Sequence, residues 1–250
     1  MSEHGHNLFE QLSDEPFTSA GIRPGGLELT RRGLVHARLA PGDAALDIGC
    51  GTGVTMTFLR EHSIQALGID SSAALLDQAR ARNPGLLLLQ GEGEALPFAD
   101  QSFDAVLLEC VLSLVQDRSR VLRECHRVLG PEGRIIVTDV YARNSDAVSE
   151  LRCISIHSCL RGALDKDLFF QEWSTAGFSS ICFEDHSGLL RDFAVRMIWH
   201  YGSLDPFWRR VGNCGTESGD IHSAVRKIRP GYFLFVGNKQ IACSNSTGGS

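Results

Sequence analysis

Residues 44–53 read Ala-Ala-Leu-Asp-Ile-Gly-Cys-Gly-Thr-Gly, a short apolar run followed by an acid and three alternate glycines. This pattern predicts a buried strand that ends in a tight turn, because glycine lets the backbone turn sharply and approach a ligand closely. A helix is predicted to follow at once, over residues 54–61. The dinucleotide fingerprint places a third glycine where this chain has Val54, so the turn fits a pyrophosphate poorly.

Apolar runs alternate with helical patterns on both sides of this turn. The patterns predict a leading helix that ends before Pro41, strands near 44–49, 65–70, 86–89, 103–108 and 134–140, and helices near 54–62, 72–82 and 118–129. Such alternation is typical of a parallel sheet with right-handed crossovers. Asp70 ends the second strand, at the edge where open parallel sheets bind their ligands.

The regular alternation of apolar runs and helical patterns ends after residue 140. Helical patterns near 145–160 and 165–176 precede strands near 178–184 and 232–236. We therefore expect an α/β fold: a seven-stranded, doubly wound sheet, mostly parallel with one antiparallel strand, under a helical lid. The predicted organisation is a cap segment and helix over 1–40, one domain over 41–240 with helical insertions near 141–176 and 185–229, and a flexible tail over 241–250.

Composition narrows the class of protein. The 250 residues are 43% hydrophobic and 22% charged, as in ordinary globular proteins, and the net charge of −6 argues against nucleic acid as a substrate. No apolar run approaches the roughly 18 residues of a membrane span, and the first ten residues are polar rather than signal-like. Eight irregularly spaced cysteines indicate core residues or soft ligands rather than disulfides. We expect a cytoplasmic protein without membrane or nucleic-acid partners.

Four segments together resemble the class I S-adenosylmethionine-dependent methyltransferases, with the type 11 (UbiE-like) core. They are ALDIGCGTG at 45–53, GID at 68–70, GEGEALPFADQSFDAV at 91–106 and RECHRVLGPEGRIIVTD at 123–139. The resemblance implies the Rossmann-like methyltransferase fold, S-adenosylmethionine as the cofactor and S-adenosylhomocysteine as the product. The acceptor would be a small molecule.

The resemblance also implies the cofactor-binding residues. The methionine part of the cofactor would face Asp47 and the glycines Gly49, Gly51 and Gly53, while Asp70, with Ser71 beside it, would hold the ribose. Glu92 stands where the family usually has an Asp that accepts from the adenine amine, and the Gly93 N–H would reach the ring. Leu96-Pro97-Phe98 would supply an apolar wall for the adenine.

Glu109 ends the fourth predicted strand, next to where the positive sulfonium should lie. Its carboxylate could attract the sulfonium or the methionine amine, so we assign it both a cofactor-binding and a catalytic role. Asp139, which ends the fifth strand, is a weaker candidate. Thr30 and Arg31 of the leading helix could cap the cofactor or meet its carboxylate, and an exposed helix face explains them about as well.

A second, weaker resemblance concerns the methyl acceptor. Cys159-Leu160-Arg161-Gly162-Ala163-Leu164 and Glu109-Cys110-Val111-Leu112-Ser113-Leu114 resemble arsenite methyltransferases, in which a cysteine before Gly-Ala-Leu binds trivalent arsenic. Cys214 could stand for a later arsenic ligand, since thiolates suit a soft centre. Cys159 is therefore our second candidate catalytic residue, although no cysteine precedes Cys50 and simple packing is the alternative.

The remaining candidates have plainer interpretations. Cys50 needs no chemical role within the turn, and Cys125 is expected in the core, whereas Cys153 lies in the segment expected to cover the site. His126 or His157 could act as a base. The aromatic side chains of the late insertion could line an acceptor pocket or form its core: Trp199, Tyr201, Phe207 and Trp208.

Three functional hypotheses remain open on these observations. The first is a methyltransferase acting on a small molecule, the second a thiol-dependent arsenite methyltransferase, and the third a non-catalytic protein that binds S-adenosylmethionine as a partner subunit. We predict no metal site. An NAD-dependent enzyme is an outside alternative, and the sequence leaves the oligomeric state open.

Overall fold

A central β-sheet organises the part of the chain that the computed structural model describes, residues 23–154, 156, 158–211 and 218–240. Its strands are β1 (Ala44–Ile48), β2 (Gln65–Asp70), β3 (Leu87–Gln90), β4 (Phe103–Glu109), β5 (Leu129–Ala142), β6 (Leu164–Asp165), β7 (Phe178–Asp185) and β8 (Pro230–Lys239). The order is β3-β2-β1-β4-β5-β8-β7, and β6 adds to the end of β5. The seven strands of this path confirm the predicted sheet; the two-residue β6 is an addition.

Helices connect and cover the strands. They are α1 (Gly26–Ala37), α2 (Val54–Glu61), α3 (Ala73–Arg82), α4 (Arg118–Val128), α5 (Val148–Cys153), α6 (Lys166–Thr175), α7 (Ser187–Tyr201), α8 (Asp205–Val211) and α9 (Ser218–Ile228). Side chains cap several of them: Ser72 accepts from the Leu75 N–H, and Asp117 accepts from the Arg120 N–H. Short 3₁₀ turns span Ser145–Ala147 and Cys159–Gly162.

The strand directions are those that the sequence predicts. β1 pairs in parallel with β2 and β4, and β4 pairs in parallel with β5. β8 runs antiparallel to both β5 and β7, so it is the one antiparallel strand. The carboxyl ends of β1, β2 and β4 consequently lie at one edge, where the predicted cofactor residues follow them.

The strands at the centre of the sheet are almost wholly apolar because they lie in the core. Both faces of β1, β4 and β5 are covered, and most of their side chains are fully buried. Between α6 and β8, aromatic rings pack edge to face, as in the pair Trp173 and Phe235 with centroids 4.2 Å apart. Aromatic packing of this kind stabilises a core beyond the area that it buries.

Between β7 and β8, the described residues form α7, α8 and α9. Phe207 and Trp208 of α8 are buried in a second core cluster with Ile221 of α9 and Leu151 of α5. Trp199 of α7 instead points outward, with 91% of its surface exposed. None of the helices in the described ranges has the length and apolarity that crossing a bilayer requires.

Candidate functional site

The glycine turn links β1 to α2 and is held by backbone hydrogen bonds to the next strand. Gly49 and Gly51 adopt positive φ angles of 71° and 51°, which side chains other than glycine's rarely tolerate. The Gly49 N–H donates to the Ile69 carbonyl at 2.7 Å. A Cβ at Gly49 would lie 2.5 Å from Val111, whereas one at Gly51 would meet no atom within 4 Å. The turn is therefore packed on one side and open on the other.

Asp70 closes this turn from the end of β2. Its Oδ2 accepts from the Gly51 N–H at 2.8 Å, and its Oδ1 accepts from the Ser72 N–H at 2.9 Å. The side chain is largely buried but faces the open side of the turn. A carboxylate held by backbone N–H groups at the cavity wall is suited to accept from the hydroxyl groups of a ligand.

Asp47 lies beneath the turn rather than facing the open side. Only 2% of its surface is exposed, and its Oδ2 has no hydrogen-bond partner among the described residues. Burial, followed by the nearby charge of Glu109, raises the pKa of this carboxyl well above its usual range. An unpartnered buried acceptor of this kind fits a site that a polar ligand completes.

A single cavity of about 1020 Å³ joins these features. At one end it is lined by Gly49, Gly51, Asp70, Ser71, Glu92, Gly93 and Glu94, and at the other by residues that follow β4 and by α5 with the 3₁₀ turn Cys159–Gly162. Glu109, which ends β4, and Cys110 after it also line the cavity. The predicted residues Asp47 and Gly53 do not line it, because Asp47 is beneath the turn and Gly53 packs against Leu86.

The segment after β3 forms the wall opposite the glycine turn. Glu92 is exposed and Gly93 is buried, and both line the cavity. Leu96 is buried in the main core and Phe98 packs against it, so this apolar stretch supports the wall from behind. The Glu94 carboxylate accepts from the Gln116 N–H at 3.3 Å, which connects this wall to the loop after β4.

Glu109 is held by a buried network that includes Arg23. Arg23 Nη2 lies 2.9 Å from Glu109 Oε2, and the hydroxyl groups of Thr30 and Thr55 donate to the two carboxylate oxygens at 2.6 and 2.5 Å. The Glu109 side chain is 4% exposed. Its carboxylate is thus already paired, and α1 is fastened to the end of β4.

Arg23 is the residue that the sequence reading missed. It precedes α1 without any periodic pattern, yet its guanidinium contacts Thr30, Thr55 and Glu109. Its Nε is buried without a partner among the described residues. Of the predicted pair on α1, Thr30 joins the network, whereas Arg31 lies on the exposed face and pairs with Glu28 at 2.7 Å.

Asp139 positions the loop after β4 instead of facing the cavity. It accepts from the N–H and the hydroxyl of Ser113, at 2.9 and 2.6 Å, and from the Val140 N–H at 2.7 Å. The carboxyl is fully buried, and burial raises its pKa to about 6. Ser113 itself lines the cavity, so Asp139 acts on the site through it.

Cys110 and Cys159 lie near each other beside this loop. Burial raises the pKa of Cys110 well above its usual range, and the neighbouring Cys159 raises it further. Burial, with Asp139 nearby, also raises the pKa of Cys159 to about 12. The Cys110 thiol contacts the Tyr232 hydroxyl at 3.1 Å and lines the cavity, whereas Cys159 does not. Both are protonated thiols at neutral pH.

The other candidates lie away from the cavity. Cys50 and Cys125 are buried in the core, Cys153 is exposed, and His126 packs against Gly177 and Phe178. The aromatic side chains of the insertion, Trp199, Tyr201, Phe207 and Trp208, do not line it either. His157 and Cys214 fall outside the described residues. Within the described ranges no three His, Cys, Asp or Glu side chains are grouped as a metal site.

Comparison with known proteins agrees with this geometry. Residues 46–137 match the model of a family described as "Methyltransferase domain". The uncharacterized methyltransferase YodH of Bacillus subtilis is 40% identical over 124 residues, 48% of this chain and 53% of the relative. A demethylmenaquinone methyltransferase of Thermotoga maritima is 30% identical over 147 residues, 57% of this chain and 64% of the relative.

The chain thus spans 53% and 64% of the lengths of these two relatives. An arsenite methyltransferase of Halobacterium salinarum is 31% identical over 156 residues, 58% of this chain and 39% of the relative. Among solved structures, the [4+2]-cyclase SpnF has a TM-score of 0.71 at 23% identity, with 94% of each chain covered, which shows the fold alone. Residues 46–137 are therefore similar to methyltransferase domains, in agreement with the glycine turn and the cavity beside it.

Proposed function

We propose that the protein transfers a methyl group from S-adenosylmethionine to a small-molecule acceptor. The observation that carries the proposal is the continuous cavity, which connects the glycine turn and Asp70 to a second compartment beyond Glu109. A cofactor and an acceptor can meet only where their two sites open into each other. Bound S-adenosylmethionine supplies the electrophilic methyl group, and the chain supplies the binding sites and their alignment.

Each part of the cofactor end has a separate role in this proposal. Asp70 accepts from the ribose hydroxyl groups, with Ser71 beside it, and Glu92 and Gly93 bind the adenine edge. The open side of Gly51 admits the chain of the methionine moiety, close to Gly49. Asp47 lies beneath this region, and its Oδ2, which has no partner among the described residues, is an acceptor for a polar N–H group of the cofactor.

Glu109 contributes electrostatics in this proposal rather than proton transfer. Its carboxylate lines the cavity, and the pair with Arg23 and the bonds from Thr30 and Thr55 fix its orientation. A fixed carboxylate near the sulfonium stabilises the cofactor's positive charge when it binds. Catalysis rests mainly on alignment of the acceptor with the methyl carbon and on exclusion of water.

Calorimetric titration with S-adenosylhomocysteine tests the cofactor site. We expect Asp70→Ala to weaken binding by roughly 10- to 100-fold, since each hydrogen bond to a charged group contributes about 1.5–3 kcal/mol. Asp77→Ala, which removes an exposed carboxylate from α3, is the matched control and should bind as the wild type does. If wild-type protein fails to bind S-adenosylhomocysteine, the proposal is wrong.

Methyl transfer separates an enzyme from a cofactor-binding partner protein. S-adenosylhomocysteine formation should rise above the background rate when small-molecule acceptors are added to protein and S-adenosylmethionine. Tight cofactor binding with no transfer to any acceptor would favour the non-catalytic alternative.

A thiol-dependent arsenite methyltransferase is the second candidate, favoured by the proximity of Cys110 and Cys159 and by the arsenite methyltransferase relative. An arsenic atom carries its own lone pair and would need no general base. The buried, protonated state of both thiols opposes metal binding, because the thiolate is the ligand. Arsenite binding that Cys159→Ser abolishes would support this candidate, and absence of arsenite binding to the wild type would remove it.

A further inference from the structure

The compartment beyond Glu109 has a wall whose position is closely defined. This wall consists of α5 (Val148–Cys153) and the 3₁₀ turn Cys159–Gly162, which we call the cover. A Cβ at Gly162 would lie 1.8 Å from the Ser113 carbonyl oxygen, so only glycine allows the cover to approach the loop after β4 this closely. Asp139 in turn holds Ser113 through its N–H and hydroxyl. The cover is therefore seated on a fixed support.

Two arginines of the cover line the cavity, Arg152 at the end of α5 and Arg161 within the 3₁₀ turn. Arg161 Nε donates to the Arg152 carbonyl at 3.4 Å, which brings the two residues together. Neither guanidinium has a carboxylate partner within the described ranges, in contrast to nearby Arg118, which pairs with Glu172 at 3.2 Å. Each of the two guanidinium groups thus has donors free for a ligand.

The charges of the cavity are separated along its length. Carboxylates line the cofactor end, where Asp70, Glu92 and Glu94 lie. The negative charge of Glu109 is balanced by Arg23. The cover end carries the two arginines; Glu150 of α5 pairs with Lys227 at 2.6 Å, and Asp117, which also lines the cavity, accepts from the Arg120 N–H as the cap of α4. The two positive charges favour an anion at this end of the cavity.

We infer that the acceptor carries an oxyanion group, a carboxylate or a phosphate, which binds Arg152 and Arg161. The inference rests on the proposed function, because it assigns the acceptor of the same cavity. Arg152 and Arg161 are exposed residues that line the cavity. Planar guanidinium groups bind such oxyanions through paired hydrogen bonds. Anchored at the cover, the acceptor extends its nucleophilic atom towards Glu109 and the methyl group, away from the arginines.

Binding of three small probes to the S-adenosylhomocysteine complex tests the inference at low ionic strength. Benzoate, phenyl phosphate and benzyl alcohol share a ring and differ in the attached group. We expect at least one of the two anions to bind at least tenfold more tightly than benzyl alcohol. The comparison of benzoate with phenyl phosphate distinguishes a carboxylate site from a phosphate site.

The variant Arg152→Gln/Arg161→Gln should reduce this preference to less than threefold. Its matched control, Arg191→Gln/Arg196→Gln, removes the same charge from the exposed face of α7, outside the cavity, and should keep the preference. Equal binding of all probes, no binding of either anion, or a preference that survives in the cover variant would overturn the inference. Loss of S-adenosylhomocysteine binding by the wild type would instead overturn the proposed function, so the two failures are distinguishable.

Discussion

Glu109 shows how one residue can have both a structural and a functional role. Its position at the end of β4 predicts a charge beside the cofactor, and it does line the cavity. The structure adds that Arg23, Thr30 and Thr55 surround its two oxygens. A buried carboxylate is tolerated because a cation and two hydroxyl groups replace its lost water.

Arg23→Met should therefore destabilise the fold strongly. The substitution leaves Glu109 buried without a cation, and breaking a buried pair typically costs about 3–5 kcal/mol. Glu109→Gln in the same chain should restore part of that loss, because the remaining amide is neutral. Urea unfolding of the two single variants and the double variant measures the coupling. Strictly additive losses would show that the two side chains do not interact.

The raised pKa of the buried Asp139 carboxyl predicts that the stability of the fold depends on pH. Burial raises its pKa from 3.8 in the unfolded chain to about 6 in the fold, so the folded state takes up a proton between these values. This contribution to stability is fully present below pH 4 and is lost as the pH rises through 6. About two pKa units correspond to roughly 3 kcal/mol.

The measurement compares wild type with Asp139→Asn, which does not titrate. From pH 4 to pH 7, the unfolding free energy of the wild type should fall by roughly 3 kcal/mol relative to that of Asp139→Asn. Asp77→Asn, an exposed substitution on α3, should show no such trend relative to wild type. A constant difference between wild type and Asp139→Asn across this range would contradict the shifted pKa.

At the scale of elements, the sheet was predictable and the contacts between distant elements were not. Apolar runs and glycine turns are local patterns, and they predicted the strands and α6; the helix predicted near 145–160 ends at Cys153 instead. The Thr30–Glu109 bond joins residues 79 positions apart, and no local pattern reports it. The sequence also did not predict the extension of β5 from Leu129 or the short β6, because pairing with a neighbouring strand, not residue type, creates them.

The position of the cover also depends on a contact between elements distant in sequence, the one that Gly162 makes with Ser113. Gly162→Ala should push the 3₁₀ turn away from Ser113, since a Cβ does not fit beside that carbonyl. We expect a loss of stability of about 1–3 kcal/mol, typical of overpacking. Affinity for S-adenosylhomocysteine should change less than threefold, while affinity for benzoate and phenyl phosphate should fall at least tenfold.

Gly188→Ala provides the control for this substitution. A Cβ at Gly188 would approach no atom closer than 3.9 Å, and the residue lies in α7 outside the cavity. Its probe binding should match that of the wild type. If Gly162→Ala also leaves anion binding unchanged, the cover does not determine the acceptor site.

For the whole molecule, ligand binding and folding are linked because the cofactor site is assembled from several strand ends. The glycine turn, Asp70, the wall after β3 and Glu109 belong to different strands, and unfolding separates them. A ligand that binds only the folded chain raises its stability through mass action. Thermal unfolding therefore reports on the intact site without any knowledge of the acceptor.

S-adenosylhomocysteine at 100 times its dissociation constant should stabilise the protein by about 2.7 kcal/mol and raise Tm by about 5–10 °C. Asp70→Ala at the same ligand concentration should show at most half of this shift. NADH should give no shift, because Val54 stands where a dinucleotide turn has its third glycine. A shift with NADH and none with S-adenosylhomocysteine would mean that the turn binds a dinucleotide, and the assignment of the cavity to a methyl donor would be wrong.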